Sequence, residues 1–343
     1  MSKKLKRIMC LALIVAMFVT VTGCGKESNT NNYLGGTGTI KNGERLNGLW
    51  GLYDDEYKYF TSYDNALLRL DKNGNLTVNC DVATCGHSLE SCKANAENIE
   101  YFVFNEKLYK TYNEPKEVGG IVEYKGSIID CETDKVVFEN PIPEDMPEED
   151  AIDDSTKIDY IRILNEEIIK VESHRHAYLL DKDFNVLYWH SDIGKFPWGT
   201  IYDNTYYYVN DLYQLIAVDL ETHESAPVEL DTKVFSCDNE GDYIYFTDRF
   251  EDLYKYSLKE GTKQKIGEGI LLFAVHDDYI YWGNNDEKKI IDTNGKLLCD
   301  YTEYSNMEFD SLIKIEDKVY TIIRDGVAEM DLDGKNYKEY TYK

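Results

Sequence analysis

One motif recurs seven times along this chain, and that recurrence constrains the fold more than any other feature. A short segment with Tyr or aliphatic residues at alternate positions follows an acidic or Asn turn. Its clearest copies are Asp242-Tyr243-Ile244-Tyr245-Phe246 and Asp278-Tyr279-Ile280-Tyr281-Trp282. Aligned on the fourth residue of these copies, the anchors are Tyr59, Tyr109, Ile169, Tyr207, Tyr245, Tyr281 and Tyr320, at intervals of 50, 60, 38, 38, 36 and 39 residues. A second landmark follows each anchor, an apolar or aromatic residue and then Asp or Ser: Leu70-Asp71, Ile129-Asp130, Leu180-Asp181, Val218-Asp219, Tyr256-Ser257, Ile291-Asp292 and Met330-Asp331. Several run on into Asn73-Gly74, Asn294-Gly295 or Asp333-Gly334, which are strong hairpin signals.

Tyr, Val and Ile at alternating positions suit a pleated, half-buried surface, and no stretch beyond the N-terminus carries a helical period with caps. Seven units of about 38 residues, each with room for four short strands, predict an all-β fold, a seven-bladed β-propeller. Blade 5 reads as strands Val234–Asp238, Tyr243–Thr247, Leu253–Leu258 and Lys263–Gly267, and the last strand of blade 7 as Lys338–Tyr342. The 29 tyrosines then belong mainly to blade-to-blade packing.

The long intervals place three insertions. About 12 residues lie between blades 1 and 2, about 9 within blade 2 (Asn113–Gly120), and about 13 between blades 2 and 3. In a propeller these connections emerge on one face. Binding residues collect on loops held by a rigid scaffold, so the rim of blades 1–3 is the expected ligand face. The third insertion carries three prolines and seven acids between Pro141 and Asp154, without the oxygen spacing or sharp-turn glycine of a calcium loop. It reads as a solvated loop.

The N-terminus is an address. Lys3, Lys4, Lys6 and Arg7 precede an apolar run, Ile8 to Val19, with the length of a signal-peptide core. Val21-Thr22-Gly23-Cys24 resembles a bacterial lipobox. Residues 1–23 are the expected lipoprotein signal peptide, Cys24 the lipidated (palmitate-type) residue, 24–45 a flexible tether rich in Gly, Asn, Thr and Ser, and 46–343 the propeller domain. That places the mature chain outside the cell membrane, anchored to its outer face. Loss of the four basic residues takes the formal charge from −27 to −31. Such an acid surplus argues against a nucleic-acid partner.

The sharpest local signal is Cys80-x4-Cys85-x-His87-x4-Cys92. Three thiolates and one imidazole can close a tetrahedral zinc site. The expected compartment also permits disulfides, through Cys80–Cys92 or Cys85–Cys92, with the third thiol seeking Cys131 or staying free. Both readings, and that of unpaired thiols, stay open, so zinc is the one cofactor the sequence suggests. The segment through Ala94 resembles one that interrupts Tyr-rich propeller repeats in clostridial-type Firmicute surface lipoproteins of unknown function. That resemblance implies a lipoprotein propeller and brings no activity with it.

Other candidates fall on the same rim. His174-Arg175-His176 lies between the second and third strands of blade 3, where an extended His-x-His pair would turn both rings to one side and suit a metal or an anion. Trp198, in Phe196-Pro197-Trp198, either offers a stacking platform or opens the inner strand of blade 4 and packs in the core. Cys237 and Cys299 read as buried small residues. No nucleophile motif, phosphate loop or dinucleotide fingerprint is present. The expected function is a non-catalytic binding module for a protein, peptide or glycan, with His87, His174, Arg175, His176 and Trp198 at its ligand face. Two alternatives remain: a propeller hydrolase or lyase on cell-surface glycans, needing carboxylates that converge on the central channel, and a metal-handling lipoprotein using the Cys/His cluster.

Overall fold

Strands begin and end in this chain where the turn chemistry dictates. In blade 4, Asp203 and Asn204 both adopt positive φ (46° and 59°), as do Asn105 and Glu106 in blade 2 (48° and 60°). This is the geometry of a two-residue hairpin whose twist matches its strands. At the end of most third strands an Asp carboxylate caps the next turn, and in blade 5 Ser257 Oγ takes that place, accepting from Glu260 N at 3.1 Å. Asp71 Oδ1 accepts from the backbone N–H groups of Asn73 (2.9 Å) and Asn75 (2.8 Å), and Asp181 and Asp292 repeat the arrangement. The second landmark of the sequence is this cap.

A computed structural model describes residues 33–45, 51–80, 92, 94–96, 99–118, 121–141, 156–174, 176–191, 198–283, 286–304 and 312–342. Among them, seven antiparallel sheets form the blades of a β-propeller, at residues 52–78, 101–139, 160–190, 199–227, 236–267, 272–300 and 313–341. Each blade is a four-stranded meander. Blade 5 consists of Ser236–Glu240, Tyr243–Thr247, Leu253–Ser257 and Lys263–Gly267. Its first strand starts two residues later than expected, because the buried Val234 belongs to the incoming connection, where its N–H bonds Tyr213 O at 2.9 Å.

The core is a ring of joints between neighbouring blades. Phe60, Leu68 and Leu70 of blade 1 pack on Ile313, Tyr320 and Ile322 of blade 7, and Phe102, Phe104 and Tyr109 of blade 2 on Ile161, Tyr178 and Leu180 of blade 3. Six of the seven anchors are buried, while Tyr207 is half-buried between the deeper Tyr206 and Tyr208. Each such side chain contributes about 1.5–3 kcal/mol over leaving it in water.

First strands lie innermost, and side chains on and beside them bond across blades. The Asn42 amide makes two bonds to the Val103 backbone (2.6 and 2.7 Å). Asn113 does the same to Ile158 (2.9 and 2.8 Å), and Asp238 accepts from Val275 N at 2.8 Å. Two faces follow from the meander. First-to-second and third-to-fourth turns lie on the lower face, while second-to-third loops and interblade connections lie on the upper face.

Two expectations need correction. Residues 33–45 are not part of a free tether. Leu34 and Ile40 are buried between blades 1 and 2, Lys41–Asn42 pairs with Leu52–Tyr53, and Glu44–Arg45 pairs with Ile313–Lys314 of blade 7. Two apolar side chains and four strand-paired backbone positions hold what its Gly- and Asn-rich composition disguised. The insertion at Asn113–Gly120 is not an irregular loop either. It extends the hairpin Lys107–Val118 and Ile121–Asp130 as a continuous ladder up to the pair Val118–Ile121.

Candidate functional site

A cavity of about 370 Å³ opens on the upper side of blades 1 and 2, reaching the start of blade 3. Its volume lies in the range of small-ligand sites. One wall is the second-to-third loop of blade 1, with Thr61, Ser62, Tyr63 and Asn65. Ala96, Ile99, Glu100 and Tyr101 from the connection into blade 2 form the next wall. Thr111 and Asn113 come from the extended hairpin, and Lys157, Ile158 and Asp159 from the connection into blade 3.

Local bonds make these walls rigid. Ser62 Oγ accepts from Ala66 N (3.0 Å), with Asn65 in the left-handed region (φ 57°). Ala96 N donates to Asn65 O (2.7 Å) and Leu67 N to Ala94 O (2.8 Å), so residues 94–96 are zipped onto the blade 1 loop. Glu100 N donates to Thr111 Oγ1 (3.0 Å) while Thr111 N donates to Glu100 O (2.8 Å). Asn113 ties the hairpin to Ile158, and Lys157 pairs with Asp159 at 3.5 Å.

Chemically the cavity is mixed. Burial, reinforced for Tyr59 by its bond to Asp54 (2.7 Å), holds the phenols of Tyr59 and Tyr101 well above their ordinary value, so both stay neutral. Aromatic faces, hydroxyls and amides thus sit beside the carboxylates of Glu100 and Asp159. This suits a ligand with an apolar face and several hydrogen-bonding groups.

The structure sorts the sequence candidates. Cys24, Cys85, His87 and Arg175 lie outside the described residues. Cys80, half-buried, and Cys92, buried, stand on the upper face at the two ends of the first insertion. Cys131 is buried at the lower end of blade 2 beside Leu34 and Leu108, its thiol pushed up to about 12 by burial. A strand's height of about 17 Å separates it from Cys80, far beyond the roughly 7 Å limit between bridged Cα atoms. It is no partner for Cys80. Among the described residues no three His, Cys, Asp or Glu side chains gather as metal ligands.

His174 is exposed at the tip of the blade 3 loop, on the expected face, but His176 is fully buried. The two rings do not point together, since His176 Nδ1 lies 2.9 Å from Ser173 Oγ and Nε2 3.3 Å from Asn140 Oδ1. Burial, with His190 nearby, lowers its pKa to about 4, against a smaller opposing bond from Pro141. It sits under the root of the acidic loop, where Asn140 Nδ2 also donates to Thr156 O (3.0 Å). Trp198 packs against Val209, Val234 and Phe246, so it is a core residue and not an open platform. Cys237 and Cys299 are half-buried, and burial holds both thiols above their ordinary value, Cys237 the more strongly.

The sequence did not reveal a polar cluster among blades 3 and 5. Arg162 reaches Asp238 (3.2 Å) and Asn239 (3.4 Å), and the buried Lys170 pairs with Glu172. Burial pushes the Asp238 carboxyl up, opposed by Arg162. These inner-strand and second-strand carboxylates are already engaged, by a cation or a backbone N–H.

No protein-family description matches the chain, and no curated protein matches it significantly. Solved structures do. PorZ of Porphyromonas gingivalis aligns with a TM-score of 0.55 at 12% identity, covering 89% of this chain and 39% of that one. BamB from Moraxella catarrhalis aligns at 0.43 and 13% identity, over 86% and 84% of the two chains. The computationally designed Ika8 protein aligns at 0.45 and 10%, over 90% and 94%. At such identities the likeness to PorZ shows a shared fold and nothing further.

Proposed function

We propose that this chain is a lipid-anchored, extracytoplasmic binding module that takes its ligand on the upper rim of blades 1–3. The observation that carries the reading is the cavity, whose walls are the feet of the insertions that break the repeat. Loops lengthened at one place on a repeated scaffold, around a concavity of ligand size, are where recognition is built. PorZ, which shares the fold, is described as an essential bacterial surface component of a secretion system. A surface role and a protein partner are extended to this chain by analogy.

A peptide and glycan array probed with the full chain tests the proposal. Tyr63→Ala and Asn65→Ala should abolish the signal, while Phe250→Ala, on the upper face of blade 5, should leave it unchanged. Retention of the signal in both cavity variants would sink the assignment. The metal-handling alternative rests on Cys80 and Cys92 sharing one face. It predicts stoichiometric zinc in the purified, non-reduced protein.

A further inference from the structure

The bonding of residues 33–45 fixes the direction in which the chain enters the ring. Lys41 stands opposite Tyr53 and Asn42 opposite Leu52, in antiparallel register, and Gly43 N then donates to Gly51 O at 2.7 Å. The first strand of a blade descends from the upper to the lower face, so this antiparallel segment climbs from the lower face upward. Its earlier residues agree. Thr37 O accepts from Asp55 N (3.1 Å) in the lower turn of blade 1, and Leu34 packs on Leu108 and Cys131 at the lower end of blade 2. Lys110 reaches both the Tyr33 ring and Asp134 of a lower turn.

The segment is also bound on three sides. Asn42 bonds Val103 of blade 2, and Glu44–Arg45 pairs with Ile313–Lys314 of blade 7. Gly43 fits where a Cβ would stand 2.7 Å from Ile315 Cγ1 and 2.8 Å from Lys314 O. It is a strap built into the inner wall of the ring, not a swivel.

We infer that this strap sets which face of the propeller looks at the membrane, holding the lower face toward the lipid surface and turning the cavity outward. The inference rests on the reading of Cys24 as the anchor. Tyr33 lies nine residue steps after Cys24, a reach of about 32 Å at most. The cavity lies on the opposite face, a further ~17 Å of strand height away. The lower face carries the turn aspartates Asp71, Asp130, Asp181 and Asp292, which oppose close contact with anionic lipid. The anchor therefore orients this face without pressing it onto the bilayer, and the rim stays open to partners approaching from outside.

Energy transfer tests the orientation. The full chain, matured in a bacterial host, is placed in phosphatidylethanolamine–phosphatidylglycerol vesicles with an acceptor dye on the headgroups. A small fluorescent amino acid replaces either Lys259, in a lower turn of blade 5, or Phe250, in an upper loop of the same blade. Transfer from position 259 should exceed that from 250 several-fold. Gly43→Val should shrink this difference while leaving the strand signal in circular dichroism intact. Equal or reversed transfer, or a full difference surviving in Gly43→Val, overturns the inference. Cys24→Ala separates the two claims: if it stays on vesicles, the anchor reading fails, whereas release of Cys24→Ala together with reversed transfer in the parent chain refutes the orientation alone.

Discussion

Phe184 shows how a single residue can depart from the repeat and keep its fold. Gly74, Gly295 and Gly334 take left-handed backbone (φ 83°, 86° and 81°) three residues after the capping Asp, and Phe184 takes the same position at φ 63°. A bulky residue is disfavoured there. Its ring is compensated by burial against Phe104 (6.0 Å) and Tyr109 (4.9 Å) of the preceding blade. His176 is the second such residue, a titratable ring buried against Ser173 and Asn140. Its folded pKa of about 4 lies below the ordinary 6.5, so the unfolded chain binds the proton first. The stability it contributes is complete above pH 6.5 and is lost progressively as pH falls toward 4, on the order of 3 kcal/mol in all. Urea midpoints measured across that window should drop in the parent chain, and His176→Gln should flatten the slope. An unchanged slope in the variant would assign the acid sensitivity elsewhere.

The extended hairpin of blade 2 carries its own protection as an element. Thr111 N bonds outward to Glu100 O, so the edge positions beyond it are Asn113, Pro115 and Glu117. The Asn113 side chain holds Ile158 beside this edge, and Pro115 has no N–H to offer an incoming strand. The other edge is covered at its base, where Gly126 N donates to Thr156 O (3.0 Å) and Asn140 N to Gly126 O (2.9 Å). Pro115→Val should leave the melting temperature nearly unchanged yet raise light scattering at high protein concentration. If Pro115→Val stays monomeric, edge protection must come from the flanking charges Glu114, Lys116 and Glu117. The strap is the complementary case, an element of strongly polar composition that becomes ordered because the ring offers it three partners.

For the whole molecule, stability is shared among interblade joints and opposed by charge. The strap joins blades 7, 1 and 2 from within, so ring closure does not depend on one blade being shared between the two chain ends. A formal charge of −27 makes the compact ring repel itself. Raising salt from about 10 mM to 150 mM shortens the screening length from about 30 Å to 8 Å. The thermal midpoint should therefore rise by several degrees over that range. A flat response would mean that local pairs such as Arg162–Asp238 and Lys265–Asp252 already neutralise what matters.

The sequence alone determined the seven-fold repeat, the strand pattern of each blade, the Asp-capped turns and the position of the insertions. These depend on neighbours in the chain, through alternation, turn chemistry and spacing, and such local physics is written in order along the sequence. Only the tertiary structure decided which way His176 and Trp198 face, that Cys131 lies a strand's height from Cys80, and that the residues before Lys41 enter from below. Those facts depend on which distant backbone groups meet, as Asn42 meets Val103 and Asn113 meets Ile158. The rim expected from spacing acquired a cavity only when the feet of three insertions closed around it.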